Sequence, residues 1–461
     1  MSLRLIEGGR SQSDAPGLLI HGASQIATLA GGLRRGLTQG DLGLLDAAPV
    51  GGPGSPAAPV LACWEGRVVG VGPRDAVEAG LEANGFNLSR FVRIDADGGV
   101  VTPGLVDPHT HLLFAGTRER ELVLRQQGAG YLAILEAGGG ILSTVAATRS
   151  ADTETLAAHG RRWLDEMVRH GVTTVEAKSG YGLDLPTELR LLEVAHQLDK
   201  EGPVEVVPTY LGAHAVPPEF RSRPRGTEAY VRHVIEEQLP GVAAQGRARS
   251  CDVFCEQGVF EADQSRRVLL AGRAHGLAPR LHADEIHDSL GAALAAELGA
   301  TSADHLAAIS PAGVEALGRA ADAGAPVVAT LLPATTLYLM SAHYAPARAL
   351  IERGVPVALG TDFNPGTSPT PNLALVLCLA CLQLKLTPHE ALVAATANSA
   401  RAVGLGDTHG TLEVGRQADV VLWAVPSVEQ LPMWLGADLV RSVVKRGEVV
   451  AGAAPDGVLP G

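Results

Sequence analysis

Two histidines, His109 and His111, stand two positions apart in PGLVDPHTHLLF. On extended backbone alternate side chains share a face, so both imidazoles can reach one cation. Alone, such a pair is equally consistent with two packed core histidines. Three further segments shift the balance. LHADE places His282 three residues before Glu285, SADHL carries His305, and LGTDFNPG carries Asp362. Each closes a run of apolar residues, and each group is a metal ligand or a proton-transfer group. Core residues that merely satisfy one another rarely produce four such run ends. His109, His111, His282 and Asp362 offer three nitrogens and one oxygen, a set that suits Zn or Fe and leaves a position for water. A bridged pair of ions needs a further ligand, usually a modified lysine ending the fourth run. That run reads CDVFCEQ, and Lys178 ends the second instead. One divalent ion is therefore expected, with Lys178 as a structural ion-pair partner.

The elements that hold these groups follow from the spacing. Short branched-apolar runs at 105–107, 172–177, 204–210, 251–256, 279–282, 301–304, 326–332 and 355–360 alternate with longer helical patterns. Eight βα units predict an α/β chain with a (β/α)8 TIM barrel over 104–406, its chemistry at the C-terminal strand ends. An open doubly wound sheet is the alternative, but no G-x-G-x-x-G follows the first run. Strand patterns at 17–28 and 60–71, and again at 418–425 and 439–450, are too few at either end for a domain. Together they predict a small β-sandwich built from 1–103 and 407–461. The Gly-, Pro- and Ala-rich stretch 34–58 reads as a surface insertion of uncertain order.

Composition bounds the rest. The 461 residues hold 37 Lys and Arg against 50 Asp and Glu, a net charge of −13. That balance argues against nucleic acid and anionic membranes, and by itself suggests a cationic or neutral partner. No stretch of 18 unbroken apolar residues predicts a spanning helix. Residues 1–17 lack the pattern of a signal peptide, so a cytoplasmic enzyme is expected. Five cysteines argue against a disulfide scaffold. Cys378 and Cys381 lie in an apolar helix and read as packing. Cys251 and Cys255 share one face of a strand and read as barrel lining. His287, His343 and His389 lack a strand-end setting and stay outside the expected site.

PGLVDPHTH, LHADE, ADH and LGTDFNPG, with the divided β-domain, resemble the amidohydrolase superfamily. TRERE, VEAKSGYGL, TYLGAHAVP, CDVFCEQGVF and DFNPGTSP are similar, as a set, to its cyclic-amide hydrolases of histidine breakdown. The resemblance runs from about residue 17 to about 452, departing at 34–58, at the 221–226 loop and in a short C-terminal tail. It implies hydrolysis of 4-imidazolone-5-propanoate to N-formimidoyl-L-glutamate, with metal-activated water attacking the ring carbonyl. Glu285, His305 and Asp362 are the implied catalytic residues. Arg118, Tyr181, His214, Glu285, Asn364, Gly366 and Thr367 are the implied substrate contacts. Arg118 would grip the propanoate bidentately, although TRERE read without a family is a solvated charge run. The Asn364–Thr367 turn would aim backbone donors at the ligand. The implied partner is a small anion, and a homodimer is expected. A ring deaminase sharing the metal ligands, and a barrel that has lost its chemistry, remain the rival readings.

Overall fold

The computed structural model describes residues 16–128 and 139–452. The stretch 1–15 of the leader reading and the C-terminal tail lie outside the described residues. The strands, in chain order, are β1 (Gly17–His21), β2 (Gln25–Ala27), β3 (Leu44–Asp46), β4 (Pro59–Trp64), β5 (Arg67–Pro73), β6 (Phe91–Asp95) and β7 (Val100–Pro103). Then come β8 (Leu105–Asp107), β9 (Val172–Lys178), β10 (Glu205–Ala213), β11 (Ser250–Cys255), β12 (Ala278–Ala283), β13 (Ser302–His305), β14 (Val328–Leu331) and β15 (Val357–Leu359). The last are β16 (Val420–Trp423), β17 (Val440–Lys445) and β18 (Glu448–Gly452).

Strands β8 to β15 form one parallel sheet in sequential order. The two edges meet through the segments that follow them. Asp362 N–H donates to the His109 carbonyl at 3.0 Å and His111 N–H to the Phe363 carbonyl at 2.9 Å. Thr361 Oγ1 donates to Asp107 at 2.6 Å. This closure makes a TIM barrel, and the open-sheet alternative falls. All eight expected runs are strands at nearly the expected positions, because each is a short branched-apolar run with helices packed outside it.

The alternation of faces decides what the barrel holds. In β9, Val175 and Ala177 join the hydrophobic layer outside, while Glu176 and Lys178 point to the axis, fully buried. In β11 the parity differs from expectation. Cys251 and Cys255 do share a face, but it is the outer one. A β-carbon on Gly272, in helix Ala262–Ala274, would lie 2.8 Å from that of Cys251. Asp252 therefore occupies the inner face.

The remaining strands form two sheets, β5-β4-β1-β6 and β18-β17-β16-β7-β2-β3. Leu18, Ile20, Leu61 and Ile94 of the first pack with Ile26, Val101, Leu422 and Val444 of the second. Both chain ends thus share one sandwich core, since β16–β18 complete the sheet that β2, β3 and β7 begin. Between the sandwich and the N-terminal end of β10, Glu205 meets His409, Lys445 and Arg446 at 3.0, 3.4 and 3.1 Å.

The 34–58 stretch lies at the surface along much of its length, but it is also anchored in the barrel. Gln39 is fully buried. Its amide donates to the Val357 carbonyl at 3.0 Å and accepts from Val357 N–H at 3.2 Å, at the start of β15. Asn398 joins both, accepting from Arg34 N–H at 2.9 Å. The segment caps the barrel floor, and β3 adds an edge strand to the sandwich. Among the described residues no helix is long and apolar enough to cross a membrane.

Candidate active site at the strand ends

His109 and His111 lie on extended backbone beyond β8, tied on both sides. Lys178 N–H donates to the Thr110 carbonyl at 3.0 Å, opposite the closure bonds to 362–363. Held there, the two rings stand 5.4 Å apart, centroid to centroid. His282, near the end of β12, brings its Nε2 to 3.3 Å from His111 Nε2. Asp362 Oδ1 lies 3.4 Å from His111 Nε2 and 3.6 Å from His109 Nε2. A tetrahedral Zn²⁺ with bonds of roughly 2.1 Å separates its ligands by about 3.4 Å, so these three contacts have a cation's spacing. The donor atoms fall into two close sets that share His109: His109, His111 and His282, and His109, His305 and Asp362. His109 Nε2 is buried with no hydrogen-bond partner among the described residues, which leaves it available to a metal. The donor chemistry and the spacing both fit one divalent ion.

The other face of each ring is also fixed. His109 Nδ1 lies 2.7 Å from Asp304 and His282 Nδ1 3.2 Å from Asp252. Lys178 Nζ joins Asp252 at 2.7 Å and Glu176 at 2.8 Å, and approaches Asp304 at 3.7 Å. Arg280 reaches Asp304 at 3.2 Å. Burial, then the Lys178 charge, hold the His109 proton affinity well below its usual range, leaving the ring a lone pair to donate. Burial pushes Asp362 up to about 6, a shift a bound cation would reverse. Thr335 Oγ1 holds Asp362 Oδ2 at 2.7 Å.

His305 and Asp362 both have left-handed backbone, with φ of 75° and 52°. On period two His305 would face outward with Ala303. Instead its ring stands 5.3 Å from that of His109 and 5.2 Å from that of His282. Strain of this kind concentrates where a side chain must be aimed. Glu285 Oε2 is 3.7 Å from His305 Nε2. Burial, with the Asp362 charge second, raises the Glu285 carboxyl well above its usual range.

One cleft is lined by His111, Arg118, Tyr181, His214, His282, Glu285, His305, Asp362, Asn364 and Thr367. His109 lies beneath it, and Gly366 packs behind it on Arg118. His214 stacks on His111 at 4.8 Å and 17° and is anchored by Gly180 O, 3.0 Å from its Nδ1. A larger cavity of about 910 Å³ adjoins the cleft and shares Glu285 and His305 with it.

Two expectations are corrected in detail. Arg118 is buried, and its Nε and Nη2 grip Glu121 at 2.9 and 2.8 Å. Within TRERE, Glu119 and Arg120 are solvated, but Arg118 and Glu121 are buried and that guanidinium edge is already taken. The Gly366 and Thr367 amides are not aimed at a ligand, because both donate to Asn364 Oδ1, at 2.8 and 2.7 Å. Asn364 builds the turn that places Gly366 against Arg118, where a β-carbon would lie 2.0 Å from Cζ. The carboxylates behind the histidines, with Arg280, Glu121 and Thr335, escaped the sequence reading. The inward parity of β9, β11, β12 and β13 was the signal for the strand residues.

The sequence pattern of the amidohydrolase family matches residues 115–451. Imidazolonepropionase from Geobacillus kaustophilus is 47% identical over 438 residues, covering 94% of this chain and 97% of that protein. The enzyme of that name from Shouchella clausii is 52% identical over 357 residues, 77% of this chain and 78% of its own length. The Symbiobacterium thermophilum imidazolonepropionase is 48% identical over 94% of this chain and 97% of its own. Among solved structures, 5-methylcytosine deaminase from Klebsiella pneumoniae superposes with a TM-score of 0.67 at 16% identity, over 96% of this chain and 99% of that one. A zinc-bound adenosine deaminase from Xanthomonas campestris gives 0.64 at 19%, over 94% and 92%. These two likenesses concern the fold alone.

Proposed function

Because the chain belongs to the imidazolonepropionase family of amidohydrolases, we propose that its barrel cleft opens the cyclic amide of 4-imidazolone-5-propanoate, giving N-formimidoyl-L-glutamate. The near-full-length identity to several such enzymes carries this reading. The chain is a hydrolase, and the two close donor sets, His109 with His111 and His282 and His109 with His305 and Asp362, support a divalent ion. We assign it, as Zn or Fe, to His109, His111, His282 and Asp362, whose Oδ1 lies 3.4 Å from His111 Nε2. Such an ion, when bound, supplies Lewis acidity that makes water a nucleophile near neutral pH and polarises a carbonyl.

The side chains divide the proton work. Asp362 Oδ1, on the ligand side of a carboxyl whose other oxygen Thr335 holds, accepts the proton of the water that attacks the ring carbonyl carbon. A Glu285 carboxyl kept protonated by its burial donates to the ring nitrogen as the carbon–nitrogen bond breaks. The proton on Asp362 then restores Glu285. His305 Nε2, buried with no hydrogen-bond partner among the described residues, donates a hydrogen bond to the carbonyl oxygen as charge grows there. Arg118, positioned by Glu121, faces the propanoate, with Thr367 beside it. Tyr181 and His214 form the wall against which the ring lies.

A cytoplasmic homodimer belongs to the same proposal. The exposed Leu382, Met433, Trp434 and Leu435 support a face for a second copy, and sedimentation of the purified chain tests it. The activity is tested by supplying the metal-replete protein with imidazolone propanoate and following its ultraviolet absorbance. Steady loss with formation of N-formimidoyl-L-glutamate is expected. No turnover would overturn the reading.

A further inference from the structure

Tyr181 sits in a loop, Ser179 to Leu183, whose shape comes from one buried side chain. Glu188 lies in the first turns of helix Leu185–Glu201 and is fully buried. Its carboxylate accepts Gly180 N–H at 3.0 Å, Gly182 N–H at 2.8 Å and Leu183 N–H at 2.8 Å. The donors flank Tyr181 on both sides, so the carboxylate folds the loop around the residue between them. Both glycines are needed for this approach. A β-carbon at Gly182 would lie 2.8 Å from Glu188 Oε1, and one at Gly180 would lie 3.0 Å from His214 Nδ1. Gly180 has φ of 94°, open to glycine at little cost. The same loop carries the Gly180 carbonyl, 3.0 Å from His214 Nδ1. The far end is fixed separately, with the Leu183 carbonyl accepting from Tyr230 Oη at 3.0 Å.

An anion with this many backbone donors is a template for a loop conformation. We propose that Glu188 is a specificity-determining positioning residue. It touches neither substrate nor metal ligands, and through the loop it sets both the Tyr181 ring and the His214 ring that wall the cleft. This rests on the reading of Tyr181 and His214 as substrate contacts. Glu188→Gln keeps the size but turns an N–H₂ group toward the backbone N–H donors that the carboxylate accepts. The effect belongs to substrate binding, because the ion and its ligands sit on other strands.

The test uses the purified, metal-replete enzyme and compares Glu188→Gln, Gly182→Ala, Tyr181→Ala and the Glu188→Gln/Tyr181→Ala pair. Gly182→Ala disturbs the same contact without altering the carboxylate, and serves if Glu188→Gln does not fold. KM for imidazolone propanoate is expected to rise about tenfold or more in Glu188→Gln, the scale of a lost charged hydrogen bond. The fall in kcat is smaller, bound metal by atomic absorption is unchanged, and the pair is less than additive. An unchanged KM in folded Glu188→Gln or Gly182→Ala, or strict additivity in the pair, overturns the proposal while the substrate contacts stand. An unchanged KM in Tyr181→Ala overturns the contact reading of Tyr181 and this proposal with it.

Discussion

Asp304 Oδ2 lies 2.7 Å from His109 Nδ1, with no solvent reaching either residue. A ring that donates from Nδ1 to this carboxylate leaves the Nε2 lone pair facing the other candidate metal donors. Asp252 plays the same part for His282 at 3.2 Å. Lys178 ties the two carboxylates together from the barrel axis, 2.7 Å from Asp252 and 3.7 Å from Asp304. The histidines are thus oriented by one ionic cluster rather than by two separate contacts.

Removing one support tests that account. Asp304→Ala frees the His109 ring to rotate and to change tautomer, and it leaves Arg280 short of a partner. Metal affinity is expected to fall about 10- to 100-fold, the usual cost of losing a carboxylate behind a metal-bound histidine. Competition with a chromophoric chelator measures it. Affinity equal to the parent's would mean that Asp304 serves only Arg280.

The barrel was legible because its eight runs keep their identity as short branched-apolar segments between helices. The candidate ligands were legible because His109, His111, His282, His305 and Asp362 fall where such runs end. The ionic cluster was not, for a physical reason. Glu176, Asp252, Arg280 and Asp304 stand inside strands, and a charge there looks like a solvent-facing position until the inward face is known. Placing Cys251 and Cys255 on the inner face of β11 hid Asp252 between them. Asp304 was passed over for its neighbour His305, whose left-handed backbone defeats simple alternation. The 34–58 stretch has the composition of a loop, and nothing in its own sequence announces that Gln39 pairs with Val357 at the far end of the chain.

Arg118 and Glu121 form a buried pair, so each has a distinct signature. If Arg118 is the cation that faces the propanoate, as proposed, Arg118→Ala raises KM about 10- to 100-fold, with kcat much less affected. Arg118→Lys fares nearly as badly, because an ammonium cannot reproduce the fork held by Glu121. Steady-state kinetics separate the parameters. A large loss in kcat at unchanged KM would contradict carboxylate anchoring.

Gln39→Ala leaves the Val357 N–H at the barrel floor without its side-chain acceptor and its carbonyl with Asn398 as the remaining side-chain donor. Losing buried hydrogen bonds of this kind costs about 1–3 kcal/mol. The urea midpoint is expected to drop accordingly, while KM stays at the parental value because the cleft lies at the opposite end of the strands. An unchanged midpoint would return the 34–58 stretch to the status of a surface loop.

Glu205 gives the junction between barrel and sandwich a dependence on acid. Burial alone would raise its carboxyl. The His409 hydrogen bond and the Lys445 charge outweigh burial and hold it well below the usual 4.5. Gln417 and Arg446 also reach its Oε2, at 3.2 and 3.1 Å, while Asp419 pairs with Lys445 at 2.8 Å. A depressed folded value means that the folded chain binds the proton less readily than the unfolded chain. The contribution is therefore complete above about pH 5 and declines as the pH falls through the ordinary carboxylate range toward the lower folded value. Glu205→Gln cannot lose a charge it lacks. The stability gap between parent and variant, from urea unfolding at a series of pH values, is expected to be widest near neutrality and to narrow below about pH 4.5. A gap that stays constant down to pH 3 would show that the Glu205 contacts act through shape alone, without charge.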